Sequence, residues 1–187
     1  MIRLLRDYPL YQLKVTLTDS KPAIWRRFQV KKETTLLKLH QILQIVMGWD
    51  DTHLHEFRIG DLRFGEPVPE EDYDVIDERN VSLSQFAPSD PITLEYLYDF
   101  GDGWEHEVFI EQGVDKKPGV RYPVCIEGAR ACPPEDVGAI TGYEDFLKVI
   151  RNRRHPEHED MLAWIGGHFD PEAFDLKAVN RLLLRIK

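Results

Sequence analysis

Two histidines separated by one residue stand in HLHEFRI, residues 53–59. In an extended chain His53 and His55 project from one face, a workable way to present two imidazoles to one ion. A third, His106, follows the turn of YDFGDGWEH (98–106) and falls on the inward face of another expected strand. Cys125 and Cys132 could complete the set with zinc-type donors, yet their spacing is wider than the two to four residues of zinc knuckles. The same histidines equally suit core positions, bonded to backbone or carboxylate. With so few zinc-site features present, a transition metal such as zinc is allowed for and not favoured.

The YDFGDGWEH turn offers a second kind of chemistry. Asp102 and His106 could hold a polar ligand in a concave aromatic patch with Tyr98 and Trp104. Glu135 and Asp136, in a loop stiffened by Pro133 and Pro134, add paired carboxylates suited to a cation or a polar group. No activated nucleophile accompanies them, so the pattern favours binding over catalysis and no catalytic residue is named. The plainer reading has Asp102 capping its own turn, the aromatics packing, and the acidic pair facing solvent.

A third constellation is basic: Trp25, Arg26 and Arg27, with Lys14, Lys31, Lys32 and Lys38 around them. Trp25 could stack on a base of single-stranded nucleic acid. No helix-turn-helix or glycine-rich phosphate loop follows, and the basic residues spread over both strand faces. The charge balance also speaks against nucleic acid as a partner. The chain has 24 Lys and Arg against 33 Asp and Glu, a net charge of −9. Residues 61–111 hold 2 basic against 15 acidic residues, whereas residues 1–60 hold 10 against 6. A large phosphate-binding face needs clustered Lys and Arg, and this composition lacks it.

The elements that must position these residues are legible from periodicity. YQLKVTL (11–17) alternates as a half-buried strand, and AIWRRFQV (23–30) reads as its partner. Arg26 falls among the apolar positions of the second strand, which requires either a buried arginine with a partner or a bulge. Residues 35–47 carry a broad apolar stripe at helical spacing, with Thr34 or Thr35 as cap and Gly48 as stop. His40, on that helix, reads as a packed or surface histidine. HLHEFRI and LRF (62–64) form a further strand pair, and residues 66–80 an acidic loop.

ITLEYLYDF and WEHEVFIE (92–111) form the clearest hairpin. Setting Phe100 opposite Trp104 across Gly101-Asp102-Gly103 places Tyr98 against His106, Tyr96 against Val108 and Leu94 against Ile110. A one-residue slip would set apolar against acidic residues. The chosen register sets Asp99 opposite Glu105. Residues 121–138 read as an irregular loop. Thr141 to Glu144 forms a capping box for a helix through Arg151, Pro156 opens another, and Asp175 caps a last one.

Taken in order, PAIWRRFQV, TLLKLHQILQIVMGWDDTHLHEF, YLYDFGDGWEH, YPVCIEGARACPPEDVG with GYEDF, and HFDPEAFDL resemble the Ri-plasmid ORF-three-like family. Some of its members are labelled TnpR resolvases of insertion elements. The resemblance covers nearly the whole chain and implies an association with mobile elements, without a determined biochemistry. Members often carry cysteine at the position of Val137, and its absence here weakens a cysteine-metal site. A serine-recombinase mechanism needs a nucleophilic serine among arginines. Ser20, Ser82, Ser84 and Ser89 lie in turn-like settings without one.

The expectation is therefore one α+β domain over residues 1–187. Its antiparallel sheet is built from hairpins in residues 11–111, with helices at 35–47 and in the C-terminal third. No membrane span or signal peptide is expected, and two thiols without a disulfide framework suit the cytoplasm. The expected function is a binding or interaction domain for a small molecule or protein, with a polar-ligand pocket near 98–106. Its rivals are a metal-dependent enzyme using His53, His55 and His106, and a DNA-associated accessory protein of mobile elements.

Overall fold

Antiparallel pairing of sequence neighbours organises the fold. The structure, a computed structural model, describes residues 3–67, 75–86 and 92–186. Among these residues eight strands form one sheet: β1 (Leu10–Leu17), β2 (Trp25–Lys31), β3 (His55–Ile59), β4 (Leu62–Gly65), β5 (Ile76–Asp77), β6 (Thr93–Tyr98), β7 (Trp104–Val114) and β8 (Val124–Ala129). Their order is β5-β4-β3-β6-β7-β1-β2-β8, and only β4–β5 is parallel. Among the described residues four α-helices complete the fold: α1 (Leu36–Met47), α2 (Ala139–Arg151), α3 (His158–Trp164) and α4 (Leu176–Leu183). This is the expected α+β class. No helix among the described residues is long and apolar enough to cross a membrane.

Apolar stripes explain the layering. Leu36, Leu39, Leu43 and Val46 of α1 are buried against Leu13, Val15, Phe28, Tyr96 and Val108 of the sheet. Thr35 caps α1 by accepting from the Lys38 N–H, and Gly48 ends it at φ +98°. Asp175 caps α4 as expected, accepting from Lys177 and Ala178 N–H.

Arg26 resolves in both ways its position allowed. Its side chain is 2% exposed, and the β2–β8 register shifts at the next residue, between Arg27 and Phe28. Among the described residues the guanidinium has no carboxylate partner. It donates instead to four carbonyls: Nε to Val46 at 2.7 Å, Nη1 to Trp25 at 2.8 Å and Ala129 at 2.7 Å, and Nη2 to Arg130 at 2.6 Å. Val46 lies in the last turn of α1, where orphan carbonyls and the negative end of the helix dipole favour a cation. The ring of Phe174 covers the guanidinium at 4.2 Å.

Three local expectations change. The 92–111 hairpin pairs Tyr98 with Trp104, Tyr96 with His106 and Leu94 with Val108, two residues from the expected register. β6 ends at Tyr98 because Asp99 turns left-handed at φ +56°. Its carbonyl accepts from Gly103 N–H, and its Oδ1 accepts from Gly101 N–H at 2.8 Å. The loop therefore spans five residues, Phe100 is 44% exposed, and the expected Asp99–Glu105 pairing does not form; Leu97 faces Glu105 instead.

The segment expected to be irregular at 121–138 contains β8, which closes the β2 edge. Helix α2 starts at Ala139, ahead of the Thr141 capping box, with Gly138 as its N-cap. Its first turn runs close to the preceding loop: a Cβ on Gly142 would sit 2.1 Å from the Val137 carbonyl oxygen. Of the expected acidic loop, residues 68–74 lie outside the described residues; Glu78–Asn80 form a short 3-10 turn.

Candidate ligand cleft and its acidic corner

An open cleft of about 490 Å³ lies between α1, the lead-in to β3 and the 78–80 turn. Leu37 and His40 reach it from α1, Asp51 to His55 from the connection into β3, and Glu78 and Arg79 from the turn. Phe100 of the 99–103 loop completes its lining. Two imidazoles stack in its wall: the rings of His40 and His55 lie 3.5 Å apart at 4°.

Each stacked ring is tied to a carboxylate. His40 Nε2 lies 2.8 Å from Asp51 Oδ1, and His55 Nε2 lies 3.0 Å from Glu78 Oε2. Burial pulls the His40 pKa down to about 4, helped by the neighbouring His55 and opposed by Asp51. At neutral pH the His40–Asp51 contact is thus a hydrogen bond from a neutral ring to a carboxylate. One tautomer satisfies the whole network. Gln44 Nε2 donates to the Tyr96 hydroxyl at 3.0 Å, Tyr96 O–H donates to His40 Nδ1 at 2.8 Å, and His40 Nε2–H donates to Asp51. The Asp51 N–H closes the ring of contacts by donating to Gln44 Oε1. With both nitrogens engaged, His40 has no free lone pair to act as a general base. Its role is to hold the wall. Nδ1 of His55 has no hydrogen-bond partner among the described residues.

Beside the cleft is a more acidic corner. The His53 ring stands edge-on to Tyr98, with Nδ1 3.7 Å from Asp99 Oδ1 and Nε2 3.2 Å from Asp136 Oδ1 and 3.7 Å from Glu135 Oε2. Despite that crowding, Nε2 is buried with no hydrogen bond, because Asp136 Oδ1 lies off its N–H direction and Glu135 Oε2 lies too far away. Glu135 is fixed by its neighbours: Oε1 accepts from Asp50 N–H at 2.9 Å and from the Tyr98 hydroxyl at 3.1 Å. Asp102 Oδ2 accepts from Gly138 N–H at 3.0 Å, joining the hairpin loop to the start of α2.

The three histidines expected to form a metal set go to different surroundings. His55 stacks on His40, and His53 sits in the acidic corner. His106 is buried against Trp49 and Tyr96, with Nδ1 3.1 Å from the Tyr96 carbonyl. The Tyr96 ring separates His106 from the stacked pair, at 5.4 Å from one and 6.0 Å from each of the others. Burial lowers the His106 pKa to about 4, so it is a neutral core group. Cys125 and Cys132 are free, buried thiols, and burial raises both pKa values, that of Cys125 to about 11.

Of the expected ligand-binding residues, the fold joins Tyr98, Glu135 and Asp136 at the corner. Trp104 and His106 lie in the core, and Asp102 serves the loop–helix junction. His40, Asp51, Glu78 and Asp99 were not singled out as site residues. The one sequence signal for them is that His40 and Gln44 share a helical face four residues apart.

The sequence pattern described as "Plasmid pRiA4b ORF-3-like protein" matches residues 9–178. The chain belongs to that family. A relative from Sinorhizobium fredii, "Uncharacterized protein y4hQ", is 40% identical over 172 residues, covering 91% of this chain and 88% of its own. A crystal structure of a "Protein of Unknown Function MM3350" from Methanosarcina mazei Go1 matches with a TM-score of 0.82 and 39% identity. It covers 90% of this chain and 96% of that one. Family membership thus carries the fold and the kinship, and the functional reading rests on the geometry of the site.

Proposed function

We propose that this family member is a small-molecule-binding domain and that the cleft at the stacked imidazoles is its site. The observation that carries the reading is the His40–His55 stack, each ring tied to its own carboxylate at the wall of an open cavity. Such an arrangement is preorganised, so a ligand meets rings already held in place.

The lining also indicates the ligand's charge. Asp51, Glu66 and Glu78 face the cleft, His40 is neutral, and the guanidinium of Arg79 is held in a two-point pair by Asp77. Leu37, Leu54 and Phe100 give the mouth an apolar side. The favoured ligand is an organic cation with an apolar portion, such as an amine.

Basic residues elsewhere lend less support to a nucleic-acid role. Arg26 is committed to carbonyls, and Arg27 is held by Glu111 and Glu127 while covering Trp25.

Saturation-transfer NMR with phenethylamine and with phenylacetate as its matched acid tests the reading. The amine is expected to contact the protein and perturb the His55 ring resonances, the acid is not, and Asp51→Asn is expected to abolish the amine signal. Equal response to amine and acid, or an amine signal that survives Asp51→Asn unchanged, would overturn it.

A further inference from the structure

The acidic corner supports an inference beyond the cleft reading, with which it shares only His53. We propose that His53, Asp99 and Asp136 form a divalent-metal site, with Glu135 as a neighbouring carboxylate. One ligand atom from each of the three lies within 4.8 Å of the others, close enough to surround a single ion.

Two independent features point to a cation here. The first is charge. Three carboxylates converge on one imidazole, and among the described residues none of the three pairs with a lysine or arginine. Asp99 is only 6% exposed, so water screens it poorly. A divalent ion would offset the mutual repulsion of these carboxylates. The second is Nε2 of His53: the side chain is 29% exposed, yet this atom is buried, with Asp136 Oδ1 at 3.2 Å and Glu135 Oε2 at 3.7 Å and no hydrogen bond to either.

The corner is also held in place by contacts that do not involve the ion. Tyr98 accepts from Thr52 N–H at 3.1 Å and donates to Glu135. Trp49 Nε1 donates to the Pro133 carbonyl at 3.0 Å, fixing the start of the carboxylate loop. Asp99 and Asp136 both adopt left-handed backbone, at φ +56° and +57°, a conformation uncommon for residues other than glycine.

Mixed imidazole and carboxylate donors suit a first-row ion of intermediate character. Mn²⁺ and Zn²⁺ are the ions to test. The competing account is a corner held by protein contacts alone, with no ion.

The test is calorimetric titration of the chelator-treated full chain with MnCl₂ and with ZnCl₂, joined to Mn²⁺ electron paramagnetic resonance. We expect one ion per chain and selective broadening of the His53 ring resonances by Mn²⁺. Asp99→Asn and Asp136→Asn should each weaken binding at least about ten-fold, since each removes a charged ligand without changing its size. Asp145→Asn, an exposed acid paired with Lys148, should leave binding unchanged. Absence of stoichiometric binding at millimolar metal would overturn the proposal, as would binding equally tight in both corner variants. Asp99 and Asp136 do not line the cleft, so amine binding measured in their Asn variants is read separately from metal binding.

Discussion

Arg26 is buried and His53 partly buried with its Nε2 enclosed, and their polar atoms are treated in opposite ways. Around Arg26 four carbonyls meet four N–H donors at 2.6–2.8 Å, and an aromatic ring covers the rest. Around His53 three carboxylates crowd a ring whose Nε2 is buried and makes no hydrogen bond. A satisfied buried cluster fastens elements together, here β2, β8 and the end of α1. A crowded one that leaves a buried nitrogen unbonded is a place where a ligand can supply the missing partner.

That contrast is open to measurement. The largest expected effect is at Arg26: Arg26→Met should cost about 4 kcal/mol, because several buried carbonyls lose their donors together. Urea unfolding measures it, and a loss below about 1 kcal/mol would mean that the carbonyl cage is not a structural fastener.

The next effect concerns pH. His106 titrates near 4 when folded, against an ordinary value of 6.5. Below 6.5 the unfolded chain therefore binds the proton more readily. The stabilisation is complete above pH 6.5 and is lost as pH falls toward 4, by about 3 kcal/mol at most. Unfolding free energies measured from pH 7.5 to 4.5 should fall more steeply in the wild type than in His106→Phe. Equal slopes would show that His106 is not a neutral buried group.

The smallest effect is at the corner. In metal-free protein Asp136→Asn should change stability by less than about 1 kcal/mol, and in the stabilising direction, since it removes one of three crowded charges at an exposed residue. Clear destabilisation, read by the same unfolding titration, would show that Asp136 is a structural anchor like Arg26.

Strand faces were legible in the sequence, but hairpin register was not. Alternation rejects a one-residue slip between β6 and β7, because that would face apolar against acidic residues. A two-residue slide keeps every side chain on its face, so the pattern is blind to it. The deciding event is the left-handed turn at Asp99, whose carbonyl and side chain gather the N–H groups of Gly103 and Gly101. The shift moved Phe100 out of the sheet and onto the cleft wall. β8 was missed for a related reason: its short pattern is broken by glycine, and it is extended because the β2 edge is there to pair with.

The candidate site was legible only in pieces. Glu135, Asp136, Tyr98 and His53 all stand out by residue type, yet they are drawn from three separate segments. His40 reads as an ordinary helix residue until His55 is laid against it.

The sequence by itself determined the α+β class, the α1 and α4 caps and the apolar faces, because these depend on local periodicity and on side chains bonding neighbouring backbone. Tertiary structure decided which polar residues meet. Contacts such as His40 on His55, or Asp99 and Asp136 on His53, join residues whose separation along the chain carries no periodic signal. They exist only once the sheet order and the turns have brought those segments together.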